Sequence, residues 1–191
     1  MSTESAEVVR YRIEAKRSRF IVRAFSAGML SALGHNPTIA IRQFTGEAGF
    51  LPGTLESASL RVTVDAKSLA VTDEMSDKDR REIERVMHEE VLETEKHPEI
   101  SYESQGVTCS KIFEGQYRAN INGKLSLHGV TRNLPIEARV IVSEDTLRAT
   151  GEFTLRQTDF GIKPPSVVGG TIKLKDELKL SFDVAANRDR G

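Results

Sequence analysis

Apolar and polar residues alternate along most of this chain. "VVRYRIE" sets Val9, Tyr11 and Ile13 opposite Arg10, Arg12 and Glu14, and "SASLRVTVD" sets Ala58, Leu60, Val62 and Val64 opposite Ser59, Arg61 and Thr63. A period of two is the signature of a strand with one wet face. "QYRANINGKLSLHG" keeps the rule well past ordinary strand length, with Tyr117, Ala119, Ile121, Leu125 and Leu127 on one side. "TLRATGEFTLRQTDF" does so with Leu147, Ala149, Gly151, Phe153 and Leu155, and "DELKLSFDVA" with Leu178, Leu180, Phe182 and Val184. With "RFIVRAF", "PTIAIRQF", "GEAGFL", "EISYES" and "NLPIEARVIV" the pattern predicts roughly eight to ten strands, the number that barrels and sandwiches use.

Two segments depart from the alternation. In "SDKDRREIERVMHEEVLE", Ile83, Met87 and Val91 recur every four residues with Val86 beside them, and Ser76 precedes Asp79 as in a capping box, which predicts a helix from about 77 to 93. Its apolar stripe is narrow, and its charged face reads as solvated surface. "SAGMLSALGHNP", residues 26 to 37, carries Met29, Leu30 and Leu33 before Gly34 and Pro37 and predicts one or two helical turns. No repeat, low-complexity tract or linker interrupts the chain, so a single domain over 1–191 is expected, with its core at about 8–186.

One-faced sheets bury the apolar face against a second sheet or by closing on themselves. Long strands favour closure, which removes their exposed edges, and Gly123 and Gly151 inside strand patterns fit bends or close approaches. Tyr11, Phe20, Val22, Leu60, Val62, Val64, Tyr102, Ile121, Leu125, Phe153, Leu155 and Phe182 are the candidates to point inward, as filled core or as the lining of a lumen.

Charge narrows the partners. Lys+Arg 27 against Asp+Glu 28 leaves a net charge of -1, so no basic field attracts nucleic acid. Cys109 is the single cysteine, which rules out an internal disulfide framework and reads as a thiol near a strand end. The first twenty residues contain no apolar run of signal-peptide length and no window reaches the length of a membrane span, which predicts a cytoplasmic chain without a membrane span.

Candidate chemistry is sparse. A metal site or an enzyme would need His35, His97 and His128 to converge from separate loops, and His88 lies in the charged helix. The plainer reading makes His97 a loop residue before Pro98 and His128 a turn residue bonding local backbone. No "GxSxG" elbow follows a strand, Arg156 and Asp159 read as an ion pair or rim feature, and "GVTRN" and "VVGGT" lack phosphate-loop spacing. The expectation is no catalytic residue, no metal and no cofactor.

Taken in order, "SRFIVRAFSAGMLSALGHNPTIAIRQFTGEAGF", "SLRVTVDAKSLAVTDE", "KHPEISYES", "GKLSLHGVTRNLPIEARV" and "FTLRQTDFGIKPPSVVGGTIKLKDELKLSFDV" resemble the YceI family over roughly residues 8 to 186. "KHPEISYES", "LHGVTR" and "RQTDFGI" are the most specific pieces. The resemblance implies an all-β fold with one or two helices, a lipocalin-like antiparallel β-barrel of about eight strands with a helix packed beside it. It implies a non-enzymatic carrier, storage or stress-related protein that binds a polyisoprenoid or quinone-like lipid in the lumen, and makes "HGVT" fold-forming. A ligand-free structural or stress module is the alternative. Many members are exported, whereas "LGHNPTIAI" and "IKPPSVVGGT" look like a non-exported branch. "GIKPPSVVGG", residues 161 to 170, is expected at the ligand mouth, with Pro164-Pro165 stiffening it, Gly169-Gly170 freeing it and Lys163 near a polar head group. A homodimer built through barrel elements rather than the helix is expected.

Overall fold

The structure is a computed structural model and describes residues 7–27, 36–51, 55, 57–167 and 172–190. Three wall segments are each bent in the middle. The first runs as β1 (Val9–Ile13) and β2 (Arg19–Arg23) about a 3-10 turn at Ala15–Arg17, and is followed by a short β3 (Ser26–Ala27). The second runs as β4 (Thr38–Ile41) and β5 (Phe44–Phe50), and the third as β6 (Ser59–Asp65) and β7 (Leu69–Val71) about a 3-10 turn at Ala66–Ser68. After helix α1 (Asp77–Arg85) come β8 (Glu99–Phe113), β9 (Gln116–Leu127), β10 (Val130–Val142), β11 (Thr146–Arg156), the short β12 (Ser166–Val167) and β13 (Ile172–Leu174), and β14 (Glu177–Arg188).

Neighbouring strands run β1-β5-β6-β8-β9-β10-β11-β14, and β14 pairs back onto β1 with Tyr11 opposite Arg188, which closes an antiparallel eight-strand barrel. The same edge of β14 also carries β2, with Phe182 opposite Phe20, and β4 and β7 extend that side. A barrel of this size leaves room for side chains or one small ligand. β12, β13 and β3 form a separate three-stranded ribbon.

Two buried serines hold the bends where ladder bonds are interrupted. Ser18 Oγ accepts from the Ala185 N–H at 2.9 Å and donates to the Glu14 carbonyl at 2.8 Å. Ser68 Oγ accepts from the Gln43 N–H at 2.9 Å and donates to the Asp65 carbonyl at 2.7 Å. Each hydroxyl thus satisfies a donor and an acceptor that the kink takes out of the sheet.

Alternation maps onto the pleat as the sequence predicts. Along β9 the odd positions from Ala119 to Leu127 are buried and the even ones point outward. Outside, Arg148 grips Asp183 across β11 and β14 through two hydrogen bonds of 2.8 and 2.6 Å, which hold the Asp183 carboxyl below the usual range. β8 is far longer than "EISYES" suggests. Its register shifts between Ser104 and Gly106 and again between Lys111 and Phe113, and the first bulge breaks the alternation where the pattern seemed to end. Cys109 therefore lies inside a strand, facing the barrel interior, rather than at a strand end.

The helix begins where expected: Ser76 Oγ accepts from the Asp79 N–H at 3.1 Å. It widens into a π-helical turn over Val86–Val91, with the Leu92 N–H reaching the Met87 carbonyl at 2.9 Å. One row of its charged face is not solvated surface. Arg80 donates to the Val71 carbonyl at 2.6 Å, Glu84 accepts from the Val71 N–H at 2.9 Å, and His88 Nε2 lies 3.0 Å from the Leu69 carbonyl. Spaced four residues apart, these side chains cover the edge of β7, where no further strand among the described residues pairs. The helical turns expected over 26–37 are replaced at Ser26–Ala27 by strand β3, and residues 28–35 lie outside the described ones.

Candidate functional site

A cavity of about 250 Å³ fills the barrel interior, and a second of about 100 Å³ lies between the barrel end and the helix. Val22, Leu69, Leu92, Leu127 and Leu178 line both, so the two spaces adjoin across these side chains. Among the described residues no charged side chain lines either; the polar contributions come from Ser59, Ser101, Tyr102, Cys109 and Gln157.

Phe20, Val22, Leu60, Val62, Val64, Tyr102, Ile121, Leu125, Phe153, Leu155 and Phe182 all line the larger cavity. Tyr11 does not. Its ring stacks on Phe50 at 5.3 Å and its hydroxyl donates to the Ser143 carbonyl at 3.1 Å, closing the barrel floor, while burial pushes its pKa up. Alternation assigns a residue to a face but does not give its height along the barrel axis. Ala48, Ala119, Ala138, Ala149 and Ala186 line the cavity as well, and their small side chains leave the space open.

Aromatic rings form one wall. Phe20 meets Phe44 edge-on at 4.8 Å, and Phe182 lies 6.3 Å from Phe20 and 6.4 Å from Phe153. On the β8–β9 wall the Tyr102 ring crosses over Gly123, where an added Cβ would sit 2.4 Å from Tyr102 Cζ. The Tyr102 hydroxyl donates to the Leu134 carbonyl at 2.9 Å, and burial pushes its pKa up to about 12. It is a poor base at neutral pH.

At the expected mouth, Ile162 and Pro165 line the smaller cavity, whereas Lys163 is exposed and lines neither. Gly169 and Gly170 lie outside the described residues, as does His35.

His97 and His128 do converge, with ring centroids 4.6 Å apart. Their companion is Glu93. His128 occupies the β9–β10 turn with Gly129, at φ 52 and 73, a left-handed pair suited to a two-residue hairpin. Rather than bonding turn backbone, its Nε2 faces the Glu93 carboxylate at 3.0 Å and its Nδ1 faces the Phe160 carbonyl at 3.4 Å. Hydrogen bonds from Lys96 and His128 lower the pKa of Glu93. Arg156 pairs with Asp176 at 3.0 Å, not with Asp159, because Asp176 also accepts from the Thr158 N–H and hydroxyl at 2.8 and 2.7 Å.

A family model described as the YceI-like domain matches residues 11–186. A UPF0312 protein of Pseudomonas putida strain W619 is 25% identical over 182 residues, 91% of this chain and 87% of that protein. UPF0312 proteins of Pseudomonas savastanoi and Pseudomonas syringae are 28% identical over 129 residues, 64% of this chain, and there the chain spans only 61% of the relatives' length. Among solved structures, Burkholderia cenocepacia BcnA superposes with a TM-score of 0.67 at 17% identity, covering 91% of this chain and 98% of that one. A polyisoprenoid binding domain from Saccharophagus degradans does so with a TM-score of 0.66 at 10% identity, covering 94% and 98%. At those identities the likeness is one of fold.

Proposed function

The chain belongs to the YceI-like domain family, and from that premise we propose that its barrel carries a long isoprenoid lipid, quinone-like or polyprenyl, without transforming it. The observation that carries this reading is the pair of adjoining cavities from lumen to helix, which no charged side chain among the described residues lines. So apolar a space suits a hydrocarbon chain better than a polar substrate or a developing charge. Each ~100 Å² of apolar surface moved into it contributes on the order of 2.5 kcal/mol before ordering costs. The polyisoprenoid binding described for the Saccharophagus degradans domain supports the same ligand class. The lining residues are the proposed contacts, and a head group emerging past Ile162 would meet Lys163.

Solvent extraction of gently purified protein, followed by mass spectrometry, should release an isoprenoid lipid in near-equal ratio to the chain. An extract containing no lipid would favour the ligand-free module instead.

A cytoplasmic location and a two-fold dimer complete the proposal; no helix among the described residues is long and apolar enough to cross a membrane. Phe113 and Ile141, 68% and 44% exposed, lie on strands flanking Gln116 and offer a barrel-wall contact. Light scattering should give about twice the chain mass, unchanged by charge reversal at Arg81 on the helix. A monomeric mass would discard the dimer.

A further inference from the structure

We propose that Glu93, His97 and His128 form a binding site for a divalent transition-metal ion of the zinc class, independent of what the lumen carries. One donor atom from each lies within 4.8 Å of the others, and all three side chains are half-buried. Two imidazoles and a carboxylate suit zinc and its neighbours, and a three-residue set leaves a fourth position for water.

Hydrogen bonding at His128 points the same way. Nδ1 faces a carbonyl at 3.4 Å and Nε2 a carboxylate oxygen at 3.0 Å, and both partners are acceptors. A neutral ring has one N–H and serves only one of them, so the second contact calls for an imidazolium or for a cation at Nε2. A cation between Nε2 and the carboxylate resolves the conflict, and an Nδ1–H on the Phe160 carbonyl then fixes the ring with its Nε2 lone pair toward the ion. Lys96 holds the other oxygen of Glu93 and orients it. His97 reaches the site because Gly129 has no side chain: a Cβ there would sit 2.9 Å from the ring's Cε1. Zinc bonds of about 2.0–2.2 Å require the donors to draw together by on the order of 1 Å, a modest side-chain rotation.

Among the described residues, the non-glycine positions with positive φ are Glu93 (46) and His128 (52), two of the proposed ligands. The hairpin turn accounts for the second and the helix end for the first, and each sets its ligand at a sharp reversal of the chain. Placement supplies a role: Glu93 follows Leu92 at the end of the π-helical turn, His128 follows Leu127 at the end of β9, and both leucines line both cavities. A bound ion would clamp the helical cover to the barrel rim.

The test is titration of chelator-stripped full-length protein with zinc chloride by calorimetry, with visible absorption of the cobalt-substituted protein as a second readout. One ion per chain is expected, and His97→Gln and His128→Asn should each weaken binding at least about tenfold and remove the absorption of four-coordinate cobalt. Asparagine tolerates the left-handed backbone at position 128, and Glu93→Gln gives the same reading should either histidine variant misfold. No uptake of zinc by the folded wild type, or uptake unchanged in all the folded variants, overturns the site.

Discussion

Replacing Val62 with aspartate empties the lumen of lipid while the barrel still folds. Val62 lies on β6 between Gly46 and Tyr102 in neighbouring strands, lines the cavity and is only half-buried, so its carboxylate can keep water in the unliganded protein. A lipid chain entering the same space must strip that water from an unpaired charge, which costs more than the ~2–7 kcal/mol of an unpaired neutral polar group, so affinity falls by a hundredfold or more. Ala149→Phe, on β11 across the barrel from β6, tests the same lumen without charge, by filling space that the small side chain leaves free. Lipid content is read by mass spectrometry and folding by circular dichroism. Folded variants of both kinds that retain wild-type lipid would show that the ligand lies elsewhere.

Gly151→Ala should lower the thermal midpoint by several degrees. A Cβ at this position of β11 would lie 2.5 Å from the Glu137 carbonyl oxygen of β10 and 2.5 Å from Cζ of Phe182 on β14. The ring can turn, but the carbonyl belongs to the wall, so neighbouring strands must part. Overpacking of this sort costs about 1–3 kcal/mol, which for a chain of this length is roughly 2–12 °C. Gly106→Ala is the matched control, since nothing lies within 4 Å of the added Cβ, and it should leave the midpoint unchanged or slightly raised. Equal midpoints for the two variants would refute the close-packing account. Because Phe182 lines the lumen, the Gly151 variant should also bind lipid less well.

Periodicity of two was enough to read the wall, because a pleated strand closed around an apolar interior repeats the same choice at every residue. It failed where geometry departs from the repeat. The bulge near Gln105 hid the second half of β8, and Tyr11 sits on the inward face but at the floor. The row Arg80, Glu84 and His88 looked like solvated charge because nothing in the sequence shows that the edge of β7 lies beside it. At the histidine cluster, His97 and His128 are legible as residue types, but Glu93, which the structure places beside them, is not, and His35 lies outside the described residues. The four-residue interval from Glu93 to His97 was the available signal.

The way β7 ends the sheet bears on solubility during ligand exchange. A sheet border covered by side chains of a helix can be uncovered by a rigid shift of that helix, with no ladder broken. What such a shift lays bare is the three-residue stretch Leu69–Val71, too short to recruit a foreign strand into a growing β-aggregate. A lipid carrier of the proposed kind, built in this way, would uncover only this short stretch on opening there, and not a long unpaired strand of the sort from which fibrils grow.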